Sequence, residues 1–411
     1  MERLERVRKL VKQHGQEHLL LKYDELDETN QRELLDTIEA IDFDLMHRLY
    51  HMATKPVIEE QVKIEPIPYI DKNSISKSDE KKYIEIGEKA LRSGELAVVT
   101  MAGGQGTRLG FNGPKGAFIF YPEKNKSIFE ALTETLKKAC DKYNVQIPWY
   151  IMTSKANNAE TIRFFEEHDF FGYPEGKIKF FIQGELPMLD FNGRILLDEF
   201  GQVKLAANGH GGTLFSMEKT GVLQEMKESG IKWVSVNGVD NVLVKPIDPL
   251  FIGLTIKSKV LGAIKSISKT DPEERVGVIC SKNGKVGVVE YTEISKQMAN
   301  LRDTDGKLVF GDAYALFNLY SIKGLEKVAE IALPYHVAVK KANYLDVSGN
   351  LVVAESPNAY KFEMFIFDSY EMFDEVVVLR INRDEEFAPI KNAIGNDSPE
   401  TALAMYKKFE K

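Results

Sequence analysis

The sequence predicts an α/β protein with a doubly wound, mostly parallel sheet at its centre, an N-terminal helical region and a small C-terminal α+β domain. Three observations carry this. From Leu96 onward, short apolar runs bounded by Gly, Pro or Asn alternate with helix-like segments, as strands covered by helices on both faces do. The first run opens directly into a glycine-rich stretch studded with cations, residues 98–116, VVTMAGGQGTRLGFNGPKG. Before Leu96 and after about residue 325 the alternation is missing. At 411 residues the chain is too long for one average domain. The changes of pattern divide it into 1–92, 93–325 and 326–411, with the middle part Rossmann-like.

In chain order, Leu4, Val7, Leu10 and Val11 share one helix face, and Gly15 ends that helix in a left-handed turn. Asn30 with Glu33 reads as a capping box ahead of Leu34, Leu35, Ile38 and Ile41. The stretch KIEPIPYIDK breaks the periodicity and is expected to cross the surface of the next domain. Another helix, from about residue 79 to 92, stops at Gly94. Strands follow at LAVVTMA, PWYIMTS, IKFFIQ, WVSVNGVD, LGAIKSI and VGVI, with helices such as SIFEALTETLKKAC and AETIRFFEEHDFF between them. In the last part YKFEMFIFDSYEMF reads as a helix, with Phe362, Phe365 and Ile366 on its core face, and EVVVLRI reads as a strand. This part is placed to close over a site.

Composition narrows the function. With 43% hydrophobic and 28% charged residues, and no repeat or low-complexity tract, the chain is an ordinary soluble globular protein. A net charge of −8 argues against a broad basic face for nucleic acid. Phosphate binding must then come from a few placed cations and backbone N–H groups. MERLERVRKLVKQHG lacks the apolar core of a signal peptide. No apolar run approaches the roughly 18 residues of a membrane helix. Cys140 and Cys280 sit singly in apolar elements, as small core residues of a reduced, cytoplasmic protein. The seven histidines are read as scattered, with no HxxxH or HExxH pattern, which gives zinc little support. A monomer or weak homo-oligomer is expected.

The glycine-rich stretch fits neither common phosphate loop. A dinucleotide fingerprint needs G-x-G-x-x-G, but GGQGTRLG has three residues between its last two glycines. A Walker loop needs Gly-Lys-Ser/Thr, and Lys115 lies between Pro114 and Gly116. Gly103, Gly104 and Gly106 let backbone N–H groups approach an anion without an intervening Cβ. Arg108 can grip phosphate oxygens bidentately, and Lys115 adds a point charge steadied by Pro114. A plain strand-to-helix turn has no use for so many glycines and two fixed cations.

AGGQGTRLGFNGPKG resembles the signature loop of UTP-dependent sugar-1-phosphate uridylyltransferases, in particular the eukaryotic-type UDP-N-acetylhexosamine pyrophosphorylases. The likeness runs from about residue 95 to 395 through IPWYIMTS, FFIQGELPML, NGHGG, VDNVLVKPIDP, VGVI, VVEYTEIS, FIFD and FAPIKNA, in family order. It implies a nucleotidyltransferase fold of the glycosyltransferase-A kind. It also implies a reaction: UTP and N-acetylglucosamine-1-phosphate give UDP-N-acetylglucosamine and pyrophosphate, with Mg²⁺ (or Mn²⁺).

The remaining motifs are read with this in mind. Gln183 ends an apolar strand, and its primary amide matches the imide edge of uracil; the resemblance gives it that role, with backbone groups near Ala102 and Gly103. NGHGG could bring Gly209 or Gly211 against a nucleotide. At His210 the family's hexosamine branch carries Asn, and a His-Gly pair is more like the glucose-1-phosphate branch. Asp240, beyond a buried-looking strand, is a natural Mg²⁺ ligand facing a triphosphate; strand-end aspartates also serve turns, and Asp312 is a weak second candidate. Glu290, Tyr291 and Gly277 are expected at the sugar by resemblance. The family's GNIANH-like run is replaced by GDAYALFNLY. Only Asn318 aligns there, shifted by one residue, and the expected sugar-contacting asparagine falls on Tyr314 or Ala315. Phe365 and Phe367 are expected around the N-acetyl group, although aromatics at such spacing are commonly plain core. Lys391 is expected to reach the phosphates.

The expected reaction is in-line attack by the sugar phosphate on the α-phosphorus of UTP, with Arg108 and Lys115 on the leaving pyrophosphate and Lys391 on the incoming phosphate. A glucose-1-phosphate or broad-specificity enzyme is the alternative. A nucleotide-sugar sensor would be expected to lack Arg108, Lys115 or Asp240, and the glycine spacing argues against an NAD-dependent oxidoreductase.

Overall fold

A computed structural model describes residues 2–55 and 62–409. Seven strands form the main path of the large sheet: β1 (Leu96–Met101), β2 (Trp149–Thr153), β3 (Ile178–Ile182), β4 (Trp233–Gly238), β5 (Gly262–Ser268), β6 (Asp312–Ser321) and β7 (Val376–Ile381). Their order is β3-β2-β1-β4-β6-β5-β7, with Ile70–Asp71 beyond β7. Every neighbouring pair is parallel except where β6 runs antiparallel to β4 and β5. All residues of β1 and β2 are buried, as central strands covered on both faces require. The helix Ile128–Tyr143, capped by the Ser127 hydroxyl and ended by left-handed Asn144, buries Ile128, Phe129, Leu132 and Leu136 in the same core.

Contacts group the chain into two compact units. The smaller is Met1–Glu60, Gly184–Gly212 and Leu333–Phe365; the larger is Gln61–Gln183, Thr213–Ala332 and Ile366–Lys411. This grouping differs from a division at 92 and 325, for a physical reason. Ala359–Met364 pairs with Tyr335–Lys340 on one side and Leu189–Asp190 on the other, within the small unit. β7 instead lies parallel to β5 in the large sheet. The helix Lys77–Arg92 also belongs to the large unit. The small unit's core joins Val7, Val11, Leu34 and Ile38 of its N-terminal helices to Leu189, Leu345 and Phe362.

Several local expectations change. YKFEMF is not a helix: Ala359–Met364 is a strand, followed by a 3₁₀ segment over Ile366–Met372. Two hydrogen-bonding neighbours hold extended a segment whose apolar spacing suggests a helix. Asn30 is not a cap; the helix starts a turn earlier at Glu28, where the Asp27 carboxylate accepts the Asn30 N–H at 2.8 Å. The KIEPIPYIDK stretch contributes edge strands, Ile64–Glu65 against Val278–Lys282 and Ile70–Asp71 against β7. Gly15 is left-handed as expected. Both cysteines are free, and burial pushes the Cys280 thiol up to about 12, as befits an inert core residue. Among the described residues no helix is long and apolar enough to cross a membrane.

Candidate active site

Because β1 to β4 lie side by side and parallel, their carboxyl ends share one edge of the sheet, where ligands of open α/β folds bind. Each end delivers part of the site. β1 runs into the glycine loop, which folds back on itself as the Lys115 N–H donates to the Gly104 carbonyl (3.0 Å) and the Gly106 N–H to the Gly113 carbonyl (2.9 Å). β2 leads to Asn157, fully buried. Its amide nitrogen donates to the carbonyls of Ala102 (3.0 Å) and Gly104 (3.3 Å), and its Oδ1 accepts the Ser154 N–H (2.8 Å). Asn157 thus turns the carbonyls at the loop's start toward the protein. The N–H groups of Gly103 and Gly104 have no hydrogen-bond partner among the described residues. A Cβ built on Gly104 would meet nothing within 4 Å, so the backbone there is open to a ligand.

β3 ends at Gln183, whose N–H donates to the Thr153 carbonyl at 2.8 Å. The Gln183 side chain packs on Gly103, with Oε1 only 2.9 Å from where a Cβ would stand. Gln183 and the glycine loop are therefore in direct contact.

β4 delivers Asp240. Its Oδ2 lies 3.8 Å from Lys115 Nζ, and both side chains are about four-fifths covered, at 21% and 17% exposure. Burial holds the Lys115 ammonium below its ordinary pKa; Asp240 opposes that shift, while Lys391 and Arg108 add to it. Arg108 of the same glycine loop and Lys391 from far along the chain thus meet with Asp240 around Lys115.

Lys391 arrives by backbone pairing. The Ile390 N–H donates to the Asp240 carbonyl at 2.8 Å, and Asn241 pairs with Pro389. Asn241, buried, fixes this junction. Its Nδ2 donates to the Glu386 carbonyl (2.7 Å), and its Oδ1 accepts the N–H of Ala388 (2.8 Å) and Leu243 (3.2 Å). Beneath lies a buried ion triad: Lys265 Nζ sits 2.6 Å from Glu386 and 2.7 Å from Asp248. Neither Asn157, Asn241 nor the triad stands out in the sequence, since single polar residues at strand ends carry no spacing signal.

Other expected residues are distributed differently. Gly277 and Glu290 meet, with the glutamate's Oε1 3.7 Å from a Cβ built on Gly277, and Tyr291 beside them is exposed. Asn318 is a core residue, not an open sugar ligand. Its Oδ1 accepts the Tyr314 (2.7 Å) and Tyr370 (2.9 Å) hydroxyls, and its Nδ2 donates to the Val236 carbonyl (3.1 Å). Antiparallel β6 faces its side chain into the sheet's covering layer, where every polar atom is already engaged. Asp312 likewise cannot serve as a second metal ligand: both its oxygens accept from Arg380, and Oδ1 also accepts the Ser266 hydroxyl. Phe367 is buried edge-to-face on Tyr314 at 5.5 Å.

Gly209, His210 and Phe365 form a cluster in the small unit. Met364 N–H donates to the Asn208 carbonyl, and Gly211 N–H donates back to Met364. A Cβ on Gly209 would stand 2.4 Å from the Met364 carbonyl oxygen, so only glycine fits. The His210 ring stacks on Phe365 (5.4 Å), whose other neighbour is the tilted His336 ring (4.5 Å).

Residues 43–397 match the family model for UTP–glucose-1-phosphate uridylyltransferase. The chain is 35% identical to the UDP-N-acetylglucosamine pyrophosphorylase of Saccharomyces cerevisiae, over 96% of this chain and 88% of that one. It is 33% identical to the human UDP-N-acetylhexosamine pyrophosphorylase-like protein 1, over 96% and 82%. The crystal structure of the uridine diphosphate N-acetylglucosamine pyrophosphorylase from Trypanosoma brucei, solved with an inhibitor, superposes with a TM-score of 0.83 at 30% identity, covering 98% of this chain and 84% of that one. The fold is thus that of UDP-sugar pyrophosphorylases. A glycine loop, a strand-end aspartate and a returning lysine on this sheet edge, in a chain so alike from end to end, make it a member of the UTP–glucose-1-phosphate uridylyltransferase family.

Proposed function

We propose that the protein transfers a uridylyl group from UTP to N-acetylglucosamine-1-phosphate, releasing pyrophosphate. The observation that carries this is the meeting of Arg108, Lys391 and Asp240 around Lys115, in the loop that leaves the amides of Gly103 and Gly104 open. Two highly anionic reactants must be brought together, and such a set of fixed donors and cations answers that barrier.

A phosphate oxygen of the sugar phosphate attacks the α-phosphorus. A new P–O bond forms, the bond from the α-phosphorus to the bridging oxygen breaks, and that oxygen leaves with pyrophosphate. The nucleophile is already an anion, so no side chain need remove a proton. Gly103, Gly104, Arg108 and Lys115 hold the triphosphate, Lys391 neutralises the incoming phosphate, and Gln183 reads the uracil edge beside Ala102. The site suits Mg²⁺ (or Mn²⁺): Asp240 is a single, largely covered carboxylate, and Mg²⁺ is characteristically held by one or two carboxylates with substrate phosphates and water. Held by Asp240, the ion would neutralise charge shared by the α-phosphate and sugar phosphate. By resemblance, sugar contacts fall to Gly277, Glu290, Tyr291 and Phe367, and to Gly209, His210 and Phe365.

One observation favours a wider sugar range. Tyr314, Ala315 and a fully engaged Asn318 stand where the resemblance expects a free asparagine. A pyrophosphate-release assay over a panel of sugar-1-phosphates, with UTP against other triphosphates, tests both readings. Fastest turnover with UTP and N-acetylglucosamine-1-phosphate is expected; turnover confined to glucose-1-phosphate would overturn the sugar assignment.

A further inference from the structure

Reading the histidines as scattered, with no HxxxH pattern, overlooks one pair. His47 and His51 lie four residues apart on the helix Phe43–Thr54, hence on one face. Both side chains are exposed, and their Nε2 atoms are 3.1 Å apart, with the rings edge-on at 4.3 Å between centroids.

That separation is informative. Zinc–imidazole bonds are about 2.0–2.1 Å, so two imidazole nitrogens on one ion lie about 2.9 Å apart at a right angle and about 3.3 Å apart at the tetrahedral angle. The observed distance falls between, so the two nitrogens already stand at a chelating separation. The same four-residue spacing supplies the two zinc-binding imidazoles of helical metal sites.

We propose that His47 and His51 form a bidentate surface site for a transition-metal cation of the zinc and copper class. Imidazole suits zinc, copper and nickel, whereas Mg²⁺ prefers oxygen, so this site and the proposed Asp240 site select different ions. Among the described residues no third His, Cys, Asp or Glu completes a ligand set. Water therefore fills the remaining positions. The Nε2 proton shared between the rings must leave, with each ring then carrying its proton on Nδ1, and the hydrogen bond gives way to two metal bonds.

The test uses the full-length, untagged protein with excess Mg²⁺ present to occupy oxygen sites. Titration with Zn²⁺ by calorimetry, and with Cu²⁺ by electron paramagnetic resonance, should show a saturable site with nitrogen hyperfine structure from two imidazoles. His47→Asn and His51→Asn should each abolish it, while His168→Asn should retain it. Both lost side chains are exposed, so unchanged circular dichroism is expected and would exclude misfolding. Undiminished binding in the His47 and His51 variants, or no saturable site in the parent, would overturn the proposal.

Discussion

Two charge clusters of the large unit, only a few residues apart in sequence, are built on opposite plans. Around Asp240, the cation in ion-pair range is Lys115 at a loose 3.8 Å, Arg108 and Lys391 add like charge at Lys115, and Lys391 has Asp397 beside it at 3.7 Å. Lys265, buried over the rings of Phe251 and Phe317, has Glu386 and Asp248 at 2.6 and 2.7 Å, and Lys245 stands 3.9 Å from Glu386, so two cations meet two carboxylates. The second is closed on itself; the first has charge and open N–H groups left over. Excess that the protein does not itself satisfy marks where a ligand belongs, and balance marks scaffold.

The largest effect should come from the scaffold. Lys265→Ala takes the closest cation from Glu386 and Asp248 and should cost about 3–5 kcal/mol of stability, measured by denaturant unfolding. Next, Lys115→Ala should lower turnover by about 10²–10³ with little loss of stability. The two readouts should separate; a Lys115→Ala enzyme with near-normal turnover would break the distinction. Asn241→Ala strips partners from the Ala388 N–H and the Glu386 carbonyl and should cost about 1–3 kcal/mol. It should also slow turnover, because it frees the junction that presents Lys391.

The difference between the clusters explains what the sequence showed. A loop that binds an anion writes its glycines and cations consecutively, so residues 98–116 declared themselves. The strands β1 to β4 did too, because burial on both faces leaves unbroken apolar runs. The approach of Lys391 to Asp240 depends on Asn241 meeting Pro389, almost 150 residues away, and no local pattern announces that. Ala359–Met364 was misread for the same reason: its two pairing partners lie elsewhere in the chain. Asn318 illustrates the converse: its polar side chain reads as a ligand group in the sequence, while two tyrosines and a carbonyl use it in the fold.

Acidity should expose the triad's balance. Burial raises the Asp248 carboxyl, but Lys265 with Lys72 and the Phe251 N–H more than reverses this, leaving it below its ordinary value. A carboxylate depressed on folding adds stability that is present above its unfolded pKa of 3.8 and lost as pH falls through the lower folded value. In Lys265→Ala, burial prevails and the sign reverses, so stability should fall as pH rises through the carboxylate range. Lys115 works the other way on the alkaline side. Its lowered pKa is a penalty while the group stays protonated, so the free protein should gain stability as pH rises toward 10.5. UTP should cancel that gain by restoring the proton, which unfolding curves with and without nucleotide would reveal.

The smallest effect is the most discriminating. Gly104 and Gly116 belong to the same loop, yet a Cβ on Gly116 would stand 2.3 Å from the Phe129 ring, while one on Gly104 meets open space. Gly116→Ala should therefore cost about 1–3 kcal/mol through overpacking. Gly104→Ala, whose backbone lies outside the left-handed region, should change stability by no more than a few tenths of a kcal/mol. If the open face of Gly104 is where phosphate oxygens reach the backbone, that methyl group must still weaken UTP binding, because it occupies the ligand's side of the loop. Equal UTP affinity in Gly104→Ala and the parent, measured by calorimetry, would show that the space beside Gly104 is only solvent and that the anion is held by the cations alone.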